Sequence, residues 1–244
     1  MPLGPCVLLA LPFSSGAAHE VGFARVDVTP PESIRLSGYA ARSAPTASVA
    51  QRLFARAMAI DGAGAAPAIV VAVDSIGIPW RLRVELAARL DERASIEPER
   101  IALLSTHSHT APQLAGQLEN IFGMPIVPEE QAAIERYTAF LVDRMEEAAL
   151  AALSARVPAE LSFARGSAGF AANRRTSGGP VDRSVPLLAA HGADGERRSH
   201  LETRRRIGRI EEPEHPEIQR PEDETPLQDV FRLDHAFYAN SSAI

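Results

Sequence analysis

Residues 68–109 decide the fold. Ala68-Ile69-Val70-Val71-Ala72-Val73 is wholly apolar and largely β-branched, the composition of a strand buried on both faces. It ends at Asp74-Ser75. Pro79 then opens an amphipathic helix whose stripe is Leu82, Leu86 and Leu90, with Arg81, Arg83, Arg89, Asp91 and Glu92 outside it. Ile101-Ala102-Leu103-Leu104 is a second short apolar run and leads into Ser105-Thr106-His107-Ser108-His109-Thr110-Ala111-Pro112. Strand, helix, strand in that order predicts a crossover unit and an α/β fold: a mixed or partly parallel sheet flanked by helices. In such sheets function gathers at the carboxyl ends of strands, where Asp74 and the two histidines fall.

Side chains alternate along a strand, so His107 and His109 are expected on one side, just where the strand opens into a loop. Two such imidazoles can form a corner of a metal or acid–base site, or simply hydrogen-bond within a polar loop. Their place at the end of a buried strand favours the first reading.

Elsewhere the chain alternates strand-like and helix-like pieces. Val21–Val28 reads as a strand stopped by Thr29-Pro30-Pro31, and 52–61 as another, closed by Gly62-Ala63-Gly64. Pro128-Glu129-Glu130 starts a helix running to about Ser154, with Ile134, Tyr137, Leu141, Met145, Ala148 and Ala152 on one face. Leu161–Ala164 and Val185–Ala189 read as further strands. Residues 194–244 differ in kind: Arg204-Arg205-Arg206 gives way to Glu222-Asp223-Glu224, with prolines at 213, 216, 221 and 226. That composition predicts a charged, unfolded tail.

The chain has 244 residues, 45% hydrophobic and 23% charged, enough for a sizeable core. A net charge of −6 gives no electrostatic basis for nucleic-acid binding. All 25 basic residues are arginine. Cys6 is the single cysteine, which excludes an intrachain disulfide and any multi-cysteine metal site. It lies in an apolar run, 6–11, followed by Ser15-Gly16-Ala17-Ala18, so residues 1–18 read as a signal peptide and the protein as secreted or periplasmic, although no basic residue precedes the run. No apolar stretch reaches bilayer-spanning length.

Several blocks together resemble the N-terminal catalytic domain of the neutral/alkaline non-lysosomal ceramidases. They are Gly22-Phe23-Ala24-Arg25-Val26-Asp27-Val28-Thr29-Pro30-Pro31, Leu36-Ser37-Gly38-Tyr39-Ala40, Val71-Ala72-Val73-Asp74-Ser75, the 105–112 segment, Asn173-Arg174-Arg175, and Gly179-Pro180-Val181-Asp182 with Val185-Pro186-Leu187-Leu188. The resemblance covers 21 to about 192 and places a domain at 19–193. It implies a zinc amidohydrolase that cleaves the N-acyl bond of ceramide-like lipids, with contact to a membrane surface but no integral span and no nucleic-acid partner.

By motif, His107 is the implied zinc ligand, His109 the group facing the reacting amide, and Arg174 a residue near the substrate. Asp74 reads as a supporting or capping residue and Tyr39 as a packed loop aromatic. The family's remaining ligands, a histidine on a later strand followed by a glutamate and a tyrosine, have no clear counterparts. His191 and His200 lie in the right stretch without the expected apolar context, and the chain stops at Ile244, short of a full domain. Three readings therefore stand: a ceramidase-type hydrolase, a truncated or frame-shifted non-catalytic remnant or binding module, and a metal hydrolase of some other amide or ester. Oligomeric state is not legible.

Overall fold

The computed structural model describes residues 9–11, 19–42, 44–62, 64–118, 125–173, 175–192, 197–204 and 230–234. Among the described residues, nine strands form one mixed sheet: β1 (Leu9–Leu11), β2 (His19–Asp27), β3 (Phe54–Asp61), β4 (Ala68–Val73), β5 (Ile101–Ser105), β6 (Val157–Ser167), β7 (Ser184–Gly192), β8 (Arg197–Arg204) and β9 (Val230–Asp234). Their order is β5-β4-β3-β2-β6-β7-β8-β9, with β1 beside β6. β4 and β5 pair in parallel, Val71 opposite Leu103, as the intervening helix α1 (Trp80–Ala94) requires. Most other pairs are antiparallel, and β8–β9 is parallel. The partly parallel α/β sheet predicted from 68–104 is thus the architecture found.

Alternation along the strands explains how the sheet is covered. Ala55, Ala57 and Ala59 of β3 and Ile69, Val71 and Val73 of β4 point to one face. There they meet Leu82, Leu86 and Leu90 of α1 and Ile134, Leu141, Met145, Ala148 and Ala152 of α2 (Pro128–Ser154). Small side chains on both partners let α2 approach closely. At Gly22 of β2 the backbones are in contact: a Cβ there would stand 2.0 Å from the Ala152 carbonyl oxygen. The opposite face carries a smaller cluster, Val21, Met58, Ala72, Ala159 and Ala190, with Phe23, Ile60 and Leu188 packed against it.

Helix boundaries follow local chemistry. Ser95 terminates α1 in the left-handed conformation, its N–H donating to Asp91 O, while Ile96 N–H closes on Leu90 O. Pro128 stands at the first position of α2 with Glu129 and Glu130 behind it. β6 and β7 extend well beyond their apolar centres, because nine consecutive register pairs from Ala159–Gly192 to Ser167–Ser184 hold them together.

Strands β8 and β9 fall inside the 194–244 stretch read as a tail, whose other residues lie outside those described. The segment read as a signal peptide also lies outside them, apart from Leu9–Leu11, which pairs with Phe163–Arg165 of β6. Among the described residues, no helix is long and apolar enough to cross a membrane.

Candidate active site

The parallel ladder does not stop with β5. Thr106 N–H donates to Val73 O at 3.0 Å and Ser108 N–H to Ser75 O at 3.0 Å, carrying the loop forward alongside the end of β4. Between them His107 takes φ 55°, a left-handed conformation. The strand has ended, so strand alternation does not govern the two histidines, contrary to the sequence argument. The turn itself brings them together, with ring centroids 4.8 Å apart and edge to face.

His107 Nδ1 lies 2.7 Å from the Ile76 carbonyl oxygen. A carbonyl can only accept, so Nδ1 carries the proton and the neutral ring's lone pair is on Nε2. That Nε2 faces His109 Nε2 at 3.1 Å. Tying one nitrogen to a carbonyl, so that the other keeps its lone pair, is how proteins orient a metal-binding imidazole; here that lone pair meets the second histidine.

A second loop supplies the wall behind His109. Leu36 bridges Pro112, Ser37 N–H donates to Ala111 O, and Gln113 N–H donates to Arg35 O, so residues 35–37 and 111–113 run together as a short antiparallel pair. Gly38, at φ 100°, then passes beneath the His109 ring. Tyr39 stands 5.0 Å from that ring, centroid to centroid. The Arg42 guanidinium lies 4.8 Å over Tyr39 and donates through Nη1 to the carbonyls of both Ser37 and His109. Burial lowers the Arg42 pKa, but a guanidinium keeps its charge in proteins. Arg35 in turn donates to Arg42 O at 2.7 Å and to Glu130 of α2 through Nε and Nη2, fastening the whole loop to the helix layer.

The floor is equally tied. Gln117 donates to Gly77 O, Gln113 to Gln117 O, and Ala115 N–H to Thr138 Oγ1 of α2 at 3.0 Å. Asp74 accepts from Phe54 N–H at 2.9 Å and from Arg56 Nη1 at 3.1 Å, which makes it a strand-end cap and ion-pair partner. A cavity of about 620 Å³ lined by Asp27, Thr29, Gln51, Arg52 and Phe140 lies elsewhere and includes neither histidine.

Of the residues singled out from sequence, His107 and His109 are therefore in direct contact, and Tyr39 stands against His109. Arg174 lies outside the described residues; its neighbour Asn173 accepts from the backbone N–H groups of Arg175 and Thr176. His191 is in β7, with Nε2 3.0 Å from Ser162 Oγ. Arg42, Gln113 and Gln117 were not anticipated; only their nearness to the Gly38-Tyr39 and histidine blocks marked them. Among the described residues, no three His, Cys, Asp or Glu side chains gather as a metal would require. His107 fits one donor of a zinc site; three protein donors are not gathered among the described residues.

The model of the family described as "Neutral/alkaline non-lysosomal ceramidase, N-terminal" matches residues 19–177. Among solved structures, a ceramidase complexed with C2 matches with a TM-score of 0.63 and 19% identity, over 78% of this chain and 31% of that one. The neutral ceramidase from Pseudomonas aeruginosa matches with the same score and identity, over 78% of this chain and 32% of its own. At that identity the likeness is one of fold, and the chain spans about a third of the length of either structure. No curated protein matches the chain in sequence. Together with the fold and the His107–His109 loop at the carboxyl end of the parallel pair, the family match over 19–177 establishes that the chain belongs to the neutral/alkaline non-lysosomal ceramidase family.

Proposed function

We propose that this chain carries the histidine half of a zinc amidohydrolase site acting on the N-acyl bond of ceramide-like lipids. The observation behind this reading is the fixed ring of His107: its Nδ1–H is held by the Ile76 carbonyl, which leaves the Nε2 lone pair beside His109 Nε2. His107 is the metal donor, and His109, 3.1 Å from it, is the group that meets the scissile amide. Bound zinc would supply an acidified water and a polarised carbonyl. What the chain's own residues do is narrower. Ile76 holds the His107 tautomer, and Gly38, Tyr39 and Arg42 hold His109 where its Nε2 can exchange a hydrogen bond with a substrate oxygen or nitrogen. Arg174 is assigned to the substrate's surroundings. Residues 1–18 as an export signal, 19–193 as the domain and 194–244 as a charged appendage complete the reading, with a secreted or periplasmic location.

A second reading has its own support. No triple donor group occurs among the described residues. A member of the family that binds without hydrolysing fits that observation. A third, a metal hydrolase of other amides or esters, is separated only by substrate.

Zinc titration by equilibrium dialysis, beside hydrolysis of a fluorescent ceramide and of simple N-acyl and ester substrates, tests all three. Stoichiometric zinc lost on His107→Ala and retained on His109→Ala, with ceramide cleaved in preference to the others, is the expected result. Failure to bind zinc at all would leave the non-catalytic reading standing.

A further inference from the structure

The sheet end that bears the histidines also bears the most exposed large apolar side chain described, and the basic groups beside it meet no acidic partner among the described residues. Trp80, the single tryptophan of the chain, is 70% exposed at the first position of α1. Val84, one turn later on the same helix face, is also exposed, as is Leu118, three residues beyond the Ala115 carbonyl that Arg81 holds. A tryptophan in solvent forfeits more burial than almost any other residue, so its exposure calls for a partner.

The surroundings indicate which. Arg83 lies 4.9 Å over the Trp80 ring and donates to Pro98 O, while Arg81 donates to Ala115 O. Neither guanidinium meets a carboxylate among the described residues. Glu85 and Glu97, the acids on adjoining turns, are taken by Arg89 and Arg100. An indole flanked by two arginines, with aliphatic side chains beside it, matches the interfacial region of an anionic bilayer. There the ring sits at headgroup depth and guanidinium groups meet lipid phosphates.

The placement relates to the candidate site. The loop leading into α1 gives its Ile76 carbonyl to His107 and its Gly77 carbonyl to Gln117. Trp80 follows Gly77 by three residues, so at most about 11 Å of chain separates them. We propose that the Trp80, Arg81, Arg83, Val84 and Leu118 face is a docking surface for an anionic lipid bilayer, holding the histidine loop at the membrane surface. The purpose of such docking rests on the lipid-amidase reading above; its test does not.

The test uses the full chain and vesicles of phosphatidylcholine with phosphatidylglycerol, containing no ceramide. Trp80 emission should shift to the blue and lose acrylamide quenching as vesicles are added, with the protein sedimenting alongside them. Val84→Ser and Leu118→Ser, which keep the fluorophore, should each weaken partitioning several-fold, and Trp80→Ser by about tenfold as read by sedimentation. Arg81→Gln with Arg83→Gln should remove the preference for anionic over zwitterionic vesicles.

Absence of co-sedimentation, or binding with unshifted Trp80 emission, overturns the proposal. So does emission already blue and unquenchable without lipid, which would mean that protein covers the face. Vesicle binding by a protein that holds no zinc would sink the amidase reading alone, while zinc binding and ceramide cleavage without vesicle binding would sink the docking surface alone.

Discussion

Gly38 passes so close beneath His109 that a Cβ on the glycine would stand 2.8 Å from both Cγ and Nδ1 of the ring. The backbone there is at φ 100°, which L side chains rarely adopt. Contact and conformation therefore demand glycine independently. Gly38→Ala is expected to cost about 1–3 kcal/mol of stability and to displace His109 from its 3.1 Å contact with His107. Thermal unfolding reads the first effect, and imidazole chemical shifts read the second. An unchanged melting temperature with unchanged His109 resonances would show that the loop has room to give.

Arg35 and Glu130 form a pair with side chains only 8% and 16% exposed, linking the loop behind His109 to α2. Removing one partner of such a pair leaves the other charge buried, so Arg35→Ala is expected to destabilise by about 3–5 kcal/mol in urea unfolding. Replacing both, as Arg35→Met with Glu130→Leu, should recover much of the loss. If the double variant proves no better than the single one, the hydrogen bond from Arg35 to the Arg42 carbonyl matters more than the ion pair.

These two relationships show why the fold was more legible than the support of the site. Strands β4 and β5 and helix α1 announce themselves through local pattern: a β-branched run, a leucine stripe, a proline start. The edges of β6 and β7 did not, because Glu160 and Arg165 are ordinary surface residues that become strand only through pairing with β7. Arg197–Arg204 gives no local strand signal for the same reason, yet Leu201 sits opposite Leu188.

The histidines stood out as residue types, but their geometry was argued from the wrong element, since the chain leaves strand conformation before His107. Arg42 lies 67 positions from the carbonyl it holds. The pairing of 35–37 with 111–113 that brings it there is tertiary, and no window of sequence contains it.

Acid should weaken the protein in a defined direction. The Thr29 side chain, with Arg52, holds Asp27 below its ordinary carboxylate value of 3.8, and the Arg136 guanidinium holds Glu32 below 4.5. Between folded and unfolded values the unfolded chain binds more protons, so stability rises with pH there. The contribution is whole above the unfolded values and disappears as pH falls through the folded ones. Melting temperature should therefore drop as pH is lowered from about 5 to about 3, and Asp27→Asn should flatten part of that slope. A slope unaltered in both Asp27→Asn and Glu32→Gln would assign acid sensitivity to other carboxylates.

The contact of Gly22 with the end of α2 gives the strongest expectation. At Gly22 a Cβ would meet the Ala152 carbonyl at 2.0 Å, Arg156 N at 2.8 Å and Ala155 C at 2.9 Å, all backbone atoms that no rotamer change can remove. Gly22→Ala must therefore push the end of α2 off β2, opening the contact in which Ala148, Ala149 and Ala152 are fully buried. The expected loss is about 3 kcal/mol or more, beyond ordinary overpacking because backbone is displaced. Hydrogen exchange should localise it, with amides of the last two turns of α2 losing protection before those of α1. Ala152→Gly would not rescue the variant, since the obstructing atom is a carbonyl oxygen rather than a methyl group. A stable Gly22→Ala protein with native protection along α2 would mean that the helix terminus can shift at little cost, and that the small-residue seam is not what sets the spacing of the two layers.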